Sequence, residues 1–173
     1  MSAEAFELDD SVRPTLLDDV VPEFEYVLTS RVLVEPEPLR FDVAGGIGQR
    51  LILNIRGGDF EGPRLRGTIL PGGGDWPLIR PDGVGLTDAR YTYQTDDGAL
   101  INIYNTGYRH GSESAIRGLD EKRSVVDPAS YYLRQWSRFE APAGKYEWMS
   151  RHIFIGIAER HPRVLFIKYF MVH

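Results

Sequence analysis

The segment Leu86 to His110 reads LTDARYTYQTDDGALINIYNTGYRH, and its reading decides the fold class. Its two halves, Leu86 to Thr95 and Ala99 to His110, are rich in Tyr, Thr and Ile, which suit a pleated, half-buried surface. Between them, Asp96-Asp97-Gly98 reads as a hairpin turn, because glycine accepts the positive φ such turns require. In the first half, Asp88, Arg90, Thr92 and Gln94 share one face, and Ala89, Tyr91 and Tyr93 the other. In the second, Ile101, Ile103, Asn105 and Gly107 oppose Asn102, Tyr104, Thr106 and Tyr108. Neither pair divides cleanly into apolar and polar. Such mixed faces suit a barrel whose interior holds a ligand. They equally suit Tyr and Thr on an exposed sheet face, and alternation alone leaves both readings open.

Working outward, strand patterns recur at intervals of about ten residues, as in an all-β barrel or sandwich. Glu23 to Val34, Gln49 to Arg56 and Arg64 to Leu70 precede the hairpin; Tyr131 to Glu140, His152 to Arg160 and Val164 to Val172 follow it. At most one short helix is expected, over Ser114 to Lys122, where Gly118 interrupts the pattern. Twelve of the 18 glycines lie between Gly45 and Gly85, where bulges and corners would use them.

The chain has 173 residues, which fits one domain by the usual prior of roughly 100–200 residues. No apolar run approaches the ~18 residues of a spanning helix, so no membrane partner is expected. With no cysteine, disulfides, thiol catalysis and cysteine-bound metals are excluded. A net charge of −5 argues against nucleic acid as a partner. The acidity is local: residues 1–25 carry eight acids and one base. Residues 1–21 therefore read as an acidic extension, and residues 22–173 as the β domain. In the extension, Leu16, Leu17, Val20 and Val21 are the residues available to dock it on the body or on a second subunit. The start lacks the basic and apolar stretches of a signal peptide, so a cytoplasmic location is expected.

Several motifs read as structure. Pro71-Gly72-Gly73-Gly74 is followed by Asp75-Trp76, an acid where a phosphate would sit, and no helix pattern follows, so turn geometry is the reading. His110, His152, His161 and His173 have no metal-ligand spacing, and no metal is expected. There is no nucleophile elbow. The acid–base groups are the more informative class. A carboxylate in an apolar barrel can abstract a proton beside a carbonyl, while a guanidinium or phenol holds the resulting enolate oxygen. Asp75 or Asp88 is the candidate base, and Arg90 or Arg109, with a tyrosine, the oxyanion holder. The candidate walls are Trp76, Tyr91, Tyr104, Tyr132, Phe139 and Trp148.

One resemblance joins these pieces. Between Gly57 and His110 the elements GGDFEGPRLRG, PGGGDW, PDG, DARY and DDGA occur in order. With DPASYYLRQWSRFEAP and YEWMSRHIFIGIAER further on, this resembles the uncharacterised family DUF3237, also described as UPF0311. The resemblance covers roughly Pro22 to His173. It implies a single antiparallel β-barrel, closed or nearly closed, similar to the calycin and lipocalin group. It also implies a place in aromatic, polyketide or other small-molecule metabolism; its pattern includes Asp59 and Glu61, acids that also stand at strand ends, and adds Arg66 as a candidate. The expectation is a cofactor-independent isomerase, cyclase or dehydratase acting on an apolar carbonyl- or phenol-bearing molecule. The alternative is a carrier or sensor for such a ligand. A homodimer through the outer face of Val164 to Met171 is compatible with both.

Overall fold

Strands β7 (Gly85–Thr95) and β8 (Leu100–Gly111) bury every second residue from Ala89 to Thr95 and from Ile101 to Gly107. Ala89, Tyr91, Tyr93 and Thr95 face inward from β7, and Ile101, Ile103 and Asn105 from β8. This settles which face is internal. The computed structural model describes residues 20–121 and 125–173.

The strands before this hairpin are β1 (Phe24–Val34), β2 (Leu39–Val43), β3 (Gly48–Glu61), β4 (Arg66–Ile69), β5 (Gly74–Asp75) and β6 (Leu78–Ile79). After it come helix α1 (Glu113–Glu121) and strands β9 (Tyr131–Glu140), β10 (Phe154–Arg160) and β11 (Val164–Val172). All pairings are antiparallel, in the order β1-β11-β10-β9-β8-β7-β4-β3, and β3 returns to β1. The result is a closed eight-stranded barrel.

Three details differ from the sequence expectation. The wall between β3 and β7 is built in three pieces, β4, β5 and β6, because the Pro71–Gly74 run breaks the strand. At Gly73, φ is +69° and an added β-carbon would stand 2.2 Å from the Arg90 carbonyl oxygen, so only glycine fits this crossing. Beyond Val34, the chain turns through Pro36 and Pro38, and β2 takes the place of β1 beside β3. Gly118 does not end α1; it lets Val126 approach, whose Cγ2 would lie 2.8 Å from an added β-carbon. Lys122, the expected last helical residue, lies outside the described residues, as do Leu16 and Leu17; Val20 and Val21 are exposed.

The interior is divided along the barrel axis. At the end near the β7–β8 turn it is packed. Phe60 stacks on Tyr93 at 4.5 Å, and Phe139 meets Phe154 and Tyr169 edge-on at 4.8 and 5.7 Å. Fully buried Met149, from the 3-10 turn Glu147–Arg151, belongs to the same cluster. Each such side chain contributes about 1.5–3 kcal/mol by leaving water. Next comes a polar layer: Asn105 donates to the hydroxyls of Tyr169 at 2.9 Å and Tyr91 at 3.1 Å, and accepts from Ser137. Beyond this layer, the other end of the barrel is hollow.

Candidate functional site

The hollow end is a cavity of about 170 Å³. Leu51, Leu53, Ile79, Leu133 and Leu165 supply apolar wall, and α1 contributes Leu119 and Asp120. Arg40 of β2 stands exposed on its border.

Register explains how Asp75 reaches this space. In β5 it pairs with Leu53 of β3 and Ala89 of β7, both of which are buried inward-facing residues. Directly opposed residues share a face, so the Asp75 side chain is internal. The main-chain N–H of Asp88 donates to Asp75 Oδ1 at 3.1 Å. Burial pushes the Asp75 carboxyl up to about 6, although that hydrogen bond and the charges of Arg160 and Arg109 oppose the rise.

Two guanidinium groups share the cavity. Arg109 lies opposite Gly85 of β7 and Leu133 of β9, and its Nη1 donates to Asp120 Oδ1 of α1 at 2.7 Å. An added β-carbon on Gly85 would stand 3.3 Å from Arg109 Nε, so the glycine leaves that side chain its room. Arg160 ends β10, on the inward face that runs Phe154, Gly156, Ala158. Burial pulls its guanidinium below the usual arginine range, against the opposing pull of Asp75.

Four buried side-chain atoms lack a hydrogen-bond partner among the described residues: Thr87 Oγ1, Arg109 Nη2, Gln135 Oε1 and Arg160 Nη2. All four residues line this one cavity. Buried polar groups are rarely left unpaired, so their concentration in one place makes this cavity the candidate site. No group of three or more His, Asp or Glu side chains gathers in metal-ligating geometry among the described residues.

Of the residues singled out from sequence, Asp75 and Arg109 line the cavity. Asp88 and Arg90 do not, because they alternate with the inward set of β7 and lie on the outer face. They face each other there at 3.6 Å, with side chains 43% and 62% exposed. Tyr104 is outside as well, donating to Glu140 at 3.0 Å, and Tyr132 stacks on His110 outside the wall at 4.8 Å. Tyr91 and Phe139 are internal but belong to the polar layer and the packed end. Trp148 lies by the packed end under the Arg64 guanidinium, 3.8 Å from its carbon. Trp76 is half-buried beside β5 and does not line the cavity; its carbonyl accepts from Arg50. Asp59 and Arg66 form ion pairs on the outer surface with Arg31 and Asp96, and Glu61 is exposed.

Arg160, Gln135, Thr87 and Asp120 escaped the sequence reading. The first three carried a signal, since each continues an alternating run: Ala158-Arg160, Leu133-Gln135-Ser137 and Thr87-Ala89-Tyr91. Asp120 carried none, because a helix packed over a barrel mouth follows no strand period.

The family model described as "Protein of unknown function (DUF3237)" matches residues 22–172. A UPF0311 protein of Clostridium acetobutylicum is 34% identical over 149 residues, 86% of this chain and 93% of that one. A crystal structure described as a beta-barrel like protein, from Acinetobacter baumannii AYE, is similar with a TM-score of 0.78 at 31% identity, covering 91% of this chain and 99% of that one. An enzyme from Penicillium herquei is similar with a TM-score of 0.66 at 20% identity, covering 94% and 98%; at that distance the likeness concerns the fold alone. No helix among the described residues is long and apolar enough to cross a membrane.

Proposed function

The chain belongs to the DUF3237 family, and on that footing we propose that it is a cofactor-independent enzyme performing acid–base chemistry on a small carbonyl- or phenol-bearing molecule in the barrel cavity. The observation that carries this reading is the Asp75 carboxyl, raised to about 6, in the same cavity as two guanidinium groups with unpartnered nitrogens. A general base works best when its pKa lies near the operating pH, and Asp75 is displaced in that direction. The Asp75 carboxylate takes a proton from the carbon beside the substrate carbonyl. The electron pair moves onto the carbonyl oxygen, and Arg109 or Arg160 donates to the oxyanion. Return of the proton from Asp75 to another carbon gives isomerisation; its transfer to a neighbouring hydroxyl, which leaves as water while the enolate electrons form the C=C bond, gives dehydration.

Size narrows the substrate. A dry engineered cavity of about 150 Å³ holds benzene, so about 170 Å³ suits one ring or a short chain. A carrier would use the same open polar atoms to orient its ligand but has no need of a poised carboxyl.

The test is thermal-shift screening against single-ring phenols, enones and cyclic ketones, followed by mass spectrometry of incubated ligands. A ligand at 100 times its Kd adds about 2.7 kcal/mol of apparent stability. Isomeric or dehydrated product from the wild type, lost in Asp75→Asn, supports the enzyme. A ligand recovered unchanged supports the carrier.

A further inference from the structure

We propose that the ligand is a monoanion whose carboxylate docks on the Arg160 guanidinium, with Arg109 beside it and a ligand hydroxyl donating to Gln135. This rests on the cavity being the site, and it names the substrate class: a monocyclic or short-chain hydroxy or keto acid.

The argument is one of charge pairing. Among the described residues, most arginines have a carboxylate or carbonyl partner: Arg109 has Asp120, Arg50 has the Trp76 carbonyl, and Arg134 has the Leu133 carbonyl. The cations without one, Arg40, Arg163 and Lys168, are exposed and solvated. Arg160 is the exception. It is only partly accessible, its side chain makes no ion pair or hydrogen bond among the described residues, and its Nη2 is buried and unpartnered there. A desolvated cation is costly unless an anion accompanies it. The cavity's own carboxylates do not fill that role. Asp120 is held by Arg109, and Asp75, held by the Asp88 N–H, forms no ion pair with Arg160. Of the two guanidinium groups and two carboxylates inside the cavity, only Arg109 and Asp120 are joined in an ion pair, which leaves the Arg160 fork open.

The remaining open atoms refine the class. A glutamine oxygen accepts and does not donate, so Gln135 Oε1 calls for a donor, which a hydroxyl of the ligand supplies. Thr87 Oγ1 can serve either role. The apolar side is formed by leucines, which suit a ring or short carbon chain.

Titration calorimetry on the full-length protein with benzoate, 3-hydroxybenzoate and benzamide tests this. Wild type is expected to bind benzoate about 10- to 100-fold more tightly than benzamide, the scale of a hydrogen bond to a charged group, and 3-hydroxybenzoate more tightly still. Arg160→Gln should bring benzoate and benzamide to within about twofold. Arg160→Lys, which keeps the charge but loses the fork, should retain part of the preference. Equal binding of benzoate and benzamide by wild type overturns the proposal without needing a variant. So does a preference that survives Arg160→Gln in a folded protein. If no probe binds, the cavity reading fails and this inference with it. If the acids bind through Arg160 but no screened acid is converted, the catalytic reading falls and the anion site stands.

Discussion

The main-chain N–H of Asp88 donates to the Asp75 carboxylate across the β5–β7 pairing at 3.1 Å, while the two side chains part to opposite faces of the wall. Two acids that look equivalent as candidate bases are therefore separated by one step of strand alternation. Asp75→Asn is expected to lower turnover of the screened substrate by roughly 10²–10⁴-fold with ligand affinity largely kept. Asp88→Asn, on the outer face, should leave turnover within about twofold, because its main-chain contact to Asp75 survives the substitution. Steady-state kinetics of both variants decides. Normal turnover in Asp75→Asn removes it as the base.

Asp75 also predicts a pH dependence of stability. Its folded value of about 6 lies above the ordinary 3.8, chiefly through burial. The folded state thus holds the proton more tightly than the unfolded one. The associated stability is present in full below about pH 4 and is lost as pH rises through 6, by up to about 3 kcal/mol. Asp75→Asn does not ionise and escapes this loss. In urea melts from pH 4 to 8, the variant should gain on the wild type up to about pH 7 and then run parallel. Curves parallel throughout would show that the carboxyl is not raised.

The polar layer that floors the cavity depends on Asn105, which is 1% exposed and bonded to Tyr91, Tyr169 and Ser137. Asn105→Leu keeps the approximate volume but takes a partner from three buried hydroxyls: Tyr91 and Tyr169 keep each other at 3.4 Å, and Ser137 is left without one. At about 1–3 kcal/mol for the group left unsatisfied and about 0.5–1.5 kcal/mol for each of the other two bonds, a loss of about 2–6 kcal/mol is expected by urea denaturation. A loss below about 1 kcal/mol would mean that the hydroxyls satisfy one another without it.

Two neighbouring glycines should respond very differently to alanine. Gly72 has a φ of +108° with nothing within 4 Å of an added β-carbon, so Gly72→Ala costs backbone strain alone, about 1–3 kcal/mol. Gly73→Ala adds a clash with the Arg90 carbonyl oxygen at 2.2 Å. It should displace β5, and with it Asp75. Soluble yield and thermal melting of the pair separate the effects: comparable values for both variants would show that the crossing at Gly73 is less tight than 2.2 Å implies.

Much of the architecture was legible because it follows from local chemistry. The tyrosine- and threonine-rich halves around Asp96-Asp97-Gly98 form the β7–β8 hairpin as read, and the flanking strand patterns form the rest of the ring. Asp75 and Arg109 were legible as polar residues at strand ends. Asp88, Arg90, Tyr104 and Tyr132 were misplaced because alternation divides residues between two faces without saying which is internal. That choice is made when β3 closes on β1 and the apolar set of every strand must share one interior. Arg160 and Gln135 sat in plain alternating runs, yet their meaning is relational. A guanidinium at a strand end is ordinary until the fold withdraws water from it and sets no carboxylate within ion-pair distance. Composition and periodicity thus determined an all-β chain, barrel or sandwich, with acid–base side chains in its strands. Only closure of the barrel decided which charges are desolvated together, because desolvation belongs to the assembled wall and to no single strand.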